Sequence, residues 1–184
     1  MTLLNPLVPI IMGSKSDLHY GQVIANSLNQ FGISSEIRIA SAHKVPSILL
    51  QILTDYETDP RPKVYITVAG RSNALSGIVD AQVTCPVIAC PPLSDTFNGA
   101  DIYSSLRMPG GVAPLVILDP EGAALAAAKI FALDNPEVNA AVRAFQKAGV
   151  DRLLQDDAEL NSKSKPSAPS QPPPQDSSVN NFDL

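Results

Sequence analysis

The sequence is poor in aromatic residues and in cysteine. Its 184 residues contain no tryptophan, and aromatic residues make up only 5%. Two cysteines, Cys85 and Cys90, are too few for a disulfide framework and form no metal-ligand pattern, so we expect reduced thiols and no bound metal. No apolar run approaches the roughly 18 residues of a membrane helix, because proline, glycine or charge interrupts each one. We therefore expect neither a disulfide-rich scaffold nor a membrane protein.

Basic residues are also scarce. The chain has 13 Lys and Arg against 18 Asp and Glu, which gives a formal net charge of -5 at pH 7. This balance argues against nucleic acid as a partner, although it allows a local basic pocket. Residues 1–6 show no basic leader before the first apolar run, so we predict no signal or transit peptide and a cytoplasmic location.

Hydrophobic residues make up 45% of the chain, which is enough for a full core. Short apolar runs alternate with segments of helical periodicity, and this alternation is typical of a parallel sheet covered on both faces. We predict one α/β domain over residues 1–161, with a three-layer, flavodoxin-like, doubly wound parallel sheet in the order 2-1-3-4-5. The predicted strands are 8–12, 35–39, 63–68, 86–89 and 115–118, and the predicted helices are 16–31, 46–56, 74–83, 100–106, 121–133 and 136–159.

Residues 162–184 differ in composition from the rest of the chain. They are rich in proline and serine and hold almost no apolar side chain before Val179. Such a segment cannot bury enough surface to offset its chain entropy, so we predict a disordered tail. A docking motif, at the proline triplet 172–174 or at the terminal Phe-Asp-Leu, is the alternative.

Ligands of open parallel sheets bind at the carboxyl ends of the strands, so the segments that follow the strands carry the candidate chemistry. After the first strand, residues 13–17 offer amides and hydroxyls that suit phosphate, and Asp17 suits a ribose diol. A capped tight turn explains the same residues.

After the second strand, His43 can act as a general acid or base, and Lys44 can neutralise a phosphate or carboxylate. A polar loop that enters a proline-started helix is the alternative there.

The third strand is followed by small residues around an arginine, a serine and an asparagine. Arg71 and Ser72 can hold a carboxylate or polarise a small oxygenated molecule. A glycine-containing turn with Asn73 as a helix cap is the alternative. Cys90 follows the fourth strand with no partner base in sight, so we expect an inert buried thiol and not a nucleophile.

Four motifs occur in a fixed order: Gly-Ser-Lys-Ser-Asp at 13–17, Ser-Ala-His-Lys at 41–44, Ala-Gly-Arg-Ser-Asn at 69–73 and Ser-Leu-Arg-Met-Pro-Gly-Gly at 105–111. Together they resemble the PurE family of purine biosynthesis over roughly residues 7–160. Its members act on aminoimidazole ribonucleotide (AIR) and form its 4-carboxylate, CAIR. The resemblance implies a homo-octamer that needs no cofactor. The alanine-rich stretch 123–128 fits such an assembly, and it fits packing within one chain equally well.

The resemblance also implies roles for individual residues. His43 matches the catalytic histidine. The implied substrate-binding residues are Ser14, Asp17, Ser41, Lys44, Gly70, Arg71, Ser72 and Asn73. Among them, residues 70–72 match the segment associated with CO2 or the carboxylate, and Ser72 is the implied CO2 contact.

Two positions bear on the reaction. The mutase class, which moves a carboxylate from N5 to C4, usually has arginine after Ser-Ala-His and a histidine that ends the Gly/Ala-rich segment. This chain has Lys44 and Arg-Ser-Asn at 71–73, which match the class that carboxylates AIR with CO2, as in the animal bifunctional purine enzyme. We therefore predict a reversible, ATP-independent AIR carboxylase, with the N5-carboxy-AIR mutase as the alternative.

Two non-catalytic functions are further alternatives. An FMN-binding module would use the same sheet edge, but the first three strand-end loops contain no aromatic residue to stack on a flavin. A scaffold that recruits partners through residues 162–184 is the other.

Overall fold

Parallel strands form one five-stranded sheet in the order β2-β1-β3-β4-β5. The structure is a computed structural model that describes residues 4–163. The strands are β1 (Leu7–Met12), β2 (Ser34–Ile39), β3 (Tyr65–Val68), β4 (Val87–Ala89) and β5 (Leu115–Val116). Because β1 pairs with both β2 and β3, the strand order reverses there, and the predicted doubly wound order is confirmed.

Helices connect the strands and cover both faces of the sheet. The described helices are α1 (Leu18–Gln30), α2 (Pro46–Glu57), α3 (Ala74–Gln82), α4 (Tyr103–Leu106), α5 (Pro120–Phe131) and α6 (Pro136–Lys163). Local signals set several of their ends. Pro46 and Pro120 occupy first-turn positions, where the missing N–H costs nothing, and Gly32 follows α1 with a positive φ of 71°.

The interior strand β1 is buried along its whole length. Val8, Ile10 and Met12 belong to a core completed by α1, α5 and the first turns of α6. Leu7 and Ile11 belong to a second core, completed by α2 and α3. All five side chains are fully buried, and each burial stabilises the fold by roughly 1.5–3 kcal/mol. This alternation explains the continuous apolar run in the sequence and establishes the three predicted layers.

Small side chains on α5 face the first of these cores. Ala123, Ala124, Ala127 and Ala128 are fully buried, and α5 packs closely against α1. Alanine suits this position because it lets two helix axes approach closely. Packing within one chain therefore accounts for the alanine-rich stretch, which lends no separate support to an assembly.

Three strands are shorter than predicted: β3, β4 and β5, of which β4 lacks only Pro86. β5 ends at Val116, although the Ile117 N–H still donates to Ala89 O of β4 at 3.0 Å. The ladder goes no further because Pro91, which follows Cys90, has no N–H to donate. β3 begins at Tyr65, and Lys63 before it makes only an isolated bridge to Leu7.

The C-terminal helix extends further than predicted. α6 ends at Lys163, so residues 162 and 163, assigned to the tail from composition, are helical. The chain divides into two compact units between Gln146 and Lys147, within this helix. Residues 164–184 lie outside the described residues, so their disorder stays a prediction. Between residues 4 and 163, no helix is both long and apolar enough to cross a membrane.

The alanine face of α5 can be tested by enlarging one side chain. Ala127→Leu adds volume to a fully packed core, so we expect the free energy of unfolding to fall by about 1–3 kcal/mol. Chemical denaturation at fixed protein concentration, followed by circular dichroism, measures the change. The matched control is Ala81→Leu, an exposed position on α3, where we expect a change within about 0.5 kcal/mol. Equal stability of the two variants would contradict this packing.

Candidate active site

The carboxyl ends of β1, β2 and β3 lie side by side at one edge of the sheet. Met12 pairs in register with Ile39 of β2 and with Val68 of β3. The ladder continues one residue further, because the Ala40 N–H donates to Met12 O and the Gly13 N–H donates to Val68 O, both at 2.9 Å. The loops that follow these strands therefore start level with one another, at the point where the strand order reverses.

A cleft of about 590 Å³ opens between these loops, a size typical of small-molecule sites. Eight of the nine residues implied by the resemblance line it: Ser14, Asp17, Ser41, His43, Lys44, Gly70, Arg71 and Ser72. The structure thus brings together residues that are up to 58 positions apart in sequence (14 to 72), and it leaves Asn73 outside the lining.

Asp17 folds back on the loop that precedes it. Its Oδ2 accepts the Ser14 N–H at 3.1 Å and the Ser14 hydroxyl at 3.2 Å, and its Oδ1 accepts the Ser16 hydroxyl at 3.3 Å. A 3-10 turn, Lys15–Asp17, forms here, and α1 begins only at Leu18. The capped-turn interpretation is therefore correct, and it places the Ser14 and Asp17 side chains in the wall of the cleft.

The second loop is a turn held by Ser41. Its Oγ accepts the Lys44 N–H at 3.3 Å, and its carbonyl accepts the Val45 N–H at 3.0 Å. The turn ends where Pro46 starts α2. His43 and Lys44 sit on its exposed side and line the cleft, so both can reach a bound molecule.

Arg71 adopts the left-handed backbone conformation, with φ of 59°. A side chain at this φ is uncommon outside glycine and asparagine, so the surrounding structure must hold it. The Arg71 N–H donates to Asp101 Oδ2 at 3.0 Å, and the Ser104 hydroxyl donates to the Arg71 carbonyl at 3.0 Å. The segment that follows β4 therefore supports this third loop from behind.

Asn73 lies beneath the loop. Only 3% of it is exposed. Its Oδ1 accepts the Ser76 N–H at 3.2 Å and caps α3, and its Nδ2 donates to Ser105 Oγ at 2.9 Å. The alternative of a helix cap is therefore the one that the geometry supports, and Asn73 contributes to the shape of the loop.

The charge of the cleft differs from that of the chain. Lys44 and Arg71 line it against the single carboxylate of Asp17, whereas the whole chain carries a net charge of -5. Three lining segments lead directly into α1, α2 and α3, so the N-terminal ends of these helices also face this edge. Both features favour an anion, and helix N-termini are common phosphate sites.

The chain resembles known proteins over most of its length. The family model of AIR carboxylase matches residues 7–151. Phosphoribosylaminoimidazole carboxylase of Treponema denticola is 50% identical over 157 residues, 85% of this chain and 99% of that protein. The protein of the same name from Archaeoglobus fulgidus is 56% identical over 82% of this chain and 83% of its own length. The chain belongs to the AIR carboxylase family.

The family's solved structures share this fold. The crystal structure of Treponema denticola PurE superposes with a TM-score of 0.83 at 51% identity, and it covers 85% of this chain and 99% of that one. The mouse bifunctional phosphoribosylaminoimidazole carboxylase/succinocarboxamide synthetase is 44% identical over 137 residues. The match spans 74% of this chain and about a third, 32%, of the mouse protein.

Part of the cleft was not expected from the motifs of the family. Pro92, Leu93 and Ser94, which follow β4, also line the cleft, and none of them belongs to the four motifs. A Cβ on Gly70 would lie 3.1 Å from the Pro92 carbonyl, so the loops after β3 and β4 are in close contact. This approach favours glycine at position 70 for a steric reason, because a larger residue would push the Pro92 carbonyl back by a few tenths of an ångström.

Cys90 takes no part in the cleft of this AIR carboxylase family member. Burial, with a smaller contribution from the Asp119 carboxylate, raises the pKa of its thiol to about 12. Its Sγ lies 3.7 Å from the Leu118 carbonyl. Because the thiolate is the reactive form, this environment fits the expectation of an inert thiol. Within residues 4–163, no group of three or more His, Cys, Asp or Glu side chains is placed to hold a metal ion.

The raised pKa makes Cys90 unreactive in the folded protein. At pH 8 it holds on the order of a thousandfold less thiolate than a thiol with the ordinary pKa of 9.0. We therefore expect iodoacetamide to modify Cys90 far more slowly in the native protein than in urea. Tandem mass spectrometry separates its modification from that of Cys85. Equal rates in the native and unfolded protein would contradict this assignment.

Proposed function

We propose that this chain is a phosphoribosylaminoimidazole carboxylase that joins CO2 to C4 of AIR and forms CAIR in purine biosynthesis. The observation that carries the proposal is the meeting of His43, Lys44 and Arg71 in one cleft of a family member. Relatives of up to 56% identity carry this enzyme's name. AIR and CO2 are the small-molecule substrates that the proposal requires.

The ribose phosphate of AIR would lie between the first two loops. The Ser14 and Ser41 hydroxyls can donate to phosphate oxygens, and the Lys44 ammonium can neutralise their charge. Asp17 would accept from the ribose hydroxyls, although its two oxygens already accept hydrogen bonds within the turn. The two cations and the helix N-termini offset the negative net charge of the chain at this place.

The reacting carbon would lie toward the third loop. The exocyclic amine of AIR makes C4 electron-rich and enamine-like, so C4 can attack CO2 without ATP or biotin. The C4–carboxyl bond forms, and loss of the C4 proton then restores the aromatic ring. Gly70, Arg71 and Ser72 line this part of the cleft, and they would hold CO2 and stabilise the carboxylate that develops.

His43 is the proposed proton acceptor. It is the only histidine in the lining, and it stands on the exposed side of its turn. Imidazole suits a transfer that runs in both directions, because its ordinary pKa lies close to neutral pH. Orientation of two small reactants would supply much of the remaining catalysis, up to about 7–11 kcal/mol.

The CO2-using class is favoured over the mutase class by two positions. Lys44 stands where the mutases usually have arginine, and residues 71–73 read Arg-Ser-Asn where they end in histidine. Arg71 lines the cleft and gives the third loop a cation.

The assembly and the location of the enzyme are further parts of the proposal. A homo-octamer is implied by the family resemblance, and light scattering on the purified chain measures it directly. A cytoplasmic location stays a prediction from the sequence.

The first experiment follows CAIR formation from AIR by ultraviolet absorbance in CO2-rich buffer without ATP. We expect prompt formation that depends on dissolved CO2. A parallel reaction contains N5-carboxy-AIR in place of AIR. Conversion of N5-carboxy-AIR alone would establish the mutase, and no turnover of either compound by folded protein would overturn the enzyme assignment.

The role of His43 can be separated from substrate binding. His43→Ala should lower kcat by roughly 10²–10⁴-fold and leave the Kd for AIR nearly unchanged, because proton transfer is lost and the phosphate contacts remain. His19→Ala is the control, since His19 is exposed on α1 outside the cleft. A comparable loss of AIR affinity in His43→Ala would assign His43 to binding instead.

A further inference from the structure

Residues 95–106, here called the support segment, lie behind the third loop of the cleft. The support segment contains two 3-10 turns and α4, and it follows β4. Its side chains bind the backbone of residues 71–73, which are about 30 positions earlier in the chain. The side chains that make these contacts, those of Asp101 and Ser104, lie outside the four motifs that resemble the family.

Asp101 holds the N-terminal side of Arg71. Its Oδ2 accepts the Arg71 N–H at 3.0 Å, and it also lies 3.9 Å from the position of a Cβ on Gly70. The Pro92 carbonyl lies 3.1 Å from that same position. Pro92 and Asp101 therefore both contact the backbone of residues 70–71.

Ser104 holds the following peptide. Its hydroxyl accepts the Asn73 N–H at 3.0 Å and donates toward the Arg71 carbonyl at 3.0 Å, sharing its proton with the Asp101 carbonyl at 2.8 Å. A trans peptide is planar, so a carbonyl fixed on Ser104 sets the Ser72 N–H in the opposite direction. Among residues 4–163 that N–H has no hydrogen-bond partner, and Ser72 lines the cleft.

We propose that Asp101 and Ser104 are positioning residues for the carboxylation step. They hold Arg71 in its left-handed conformation and thereby set the Ser72 N–H and the Arg71 side chain for the carboxylate that forms on C4. The proposal rests on the proposed function. It deepens that function by making the support segment responsible for the shape of the third loop, which would hold CO2, while the first two loops would hold AIR.

Arg71 depends on these contacts because its backbone is in the left-handed conformation. A non-glycine residue in this conformation persists only when its neighbours hold it. Without Asp101, the Arg71 N–H loses a charged acceptor, and the loop can relax toward ordinary φ values. A shift of about 1 Å in a positioning group can lower a rate a hundredfold.

The test compares Asp101→Ala and Ser104→Ala with their conservative partners Asp101→Asn and Ser104→Thr. We expect both alanine variants to lower kcat by roughly ten- to a hundredfold and to raise the KM for dissolved CO2. The Kd for AIR should stay within about threefold, because the phosphate contacts are untouched. The asparagine and threonine variants keep the hydrogen-bonding atoms and should recover most of the rate.

The matched control is Asp95→Ala. Asp95 lies in the same support segment, is exposed, and makes no side-chain hydrogen bond within the described residues. The kcat of the Asp95→Ala variant should equal that of the wild type. Rates within about threefold of wild type for both alanine variants, or an Asp101→Asn variant as slow as Asp101→Ala, would overturn the proposal.

A second measurement is independent of turnover. Hydrogen exchange followed by mass spectrometry reports on the peptide that contains residues 70–75. Exchange there should be faster in Asp101→Ala and Ser104→Ala than in Asp95→Ala, with the remaining peptides unchanged. Unchanged exchange would overturn the support role. An inactive wild type would overturn the proposed function alone, and this measurement would still decide whether the support segment holds the loop.

Discussion

Burial of β1 on both faces is the constraint on which the rest of this structure depends. Its side chains enter two separate cores, so helices must cover both sides of the sheet. Parallel neighbours on each side of β1 demand helical crossovers, which supply this cover. The same arrangement brings the ends of β1, β2 and β3 to one level. The cleft is therefore a consequence of how the core is covered.

The polar side chains of the cleft lie in the loops that follow the strands, not in the strands themselves. β1 carries only apolar side chains, and the polar groups of β2 lie along the edge strand, whereas the loops that follow β1, β2 and β3 carry serines, His43, Lys44 and Arg71. Each loop is held by its own backbone-directed contacts: Asp17 on Ser14, Ser41 on Lys44 and Asp101 on Arg71. The charged groups of Lys44 and Arg71 thus stay available to a ligand while the loops keep their shape.

The sequence was sufficient for the layers, the strand order and most of the lining of the cleft. Continuous apolar runs indicate strands that are buried on both faces. Ligands of open parallel sheets bind at the carboxyl ends of the strands, and this locates the site. The predicted β5 is too long because its end depends on the prolines that follow β4. β4 is the neighbour of β5 in the sheet, so the sequence around β5 gives no sign of this limit. The burial of Asn73 and the contacts of Asp101 depend on pairs about 30 residues apart, for which local patterns hold no signal.

The backbone conformation of Arg71 lowers the free energy of unfolding of this chain. Its φ of 59° is natural for glycine, and a side chain there costs roughly 1–3 kcal/mol. Selection for stability alone would therefore favour glycine at this position and would lose the guanidinium. Arginine at this position therefore trades folding free energy for a guanidinium in the cleft, and a screen that ranks variants only by thermal stability would select against that group.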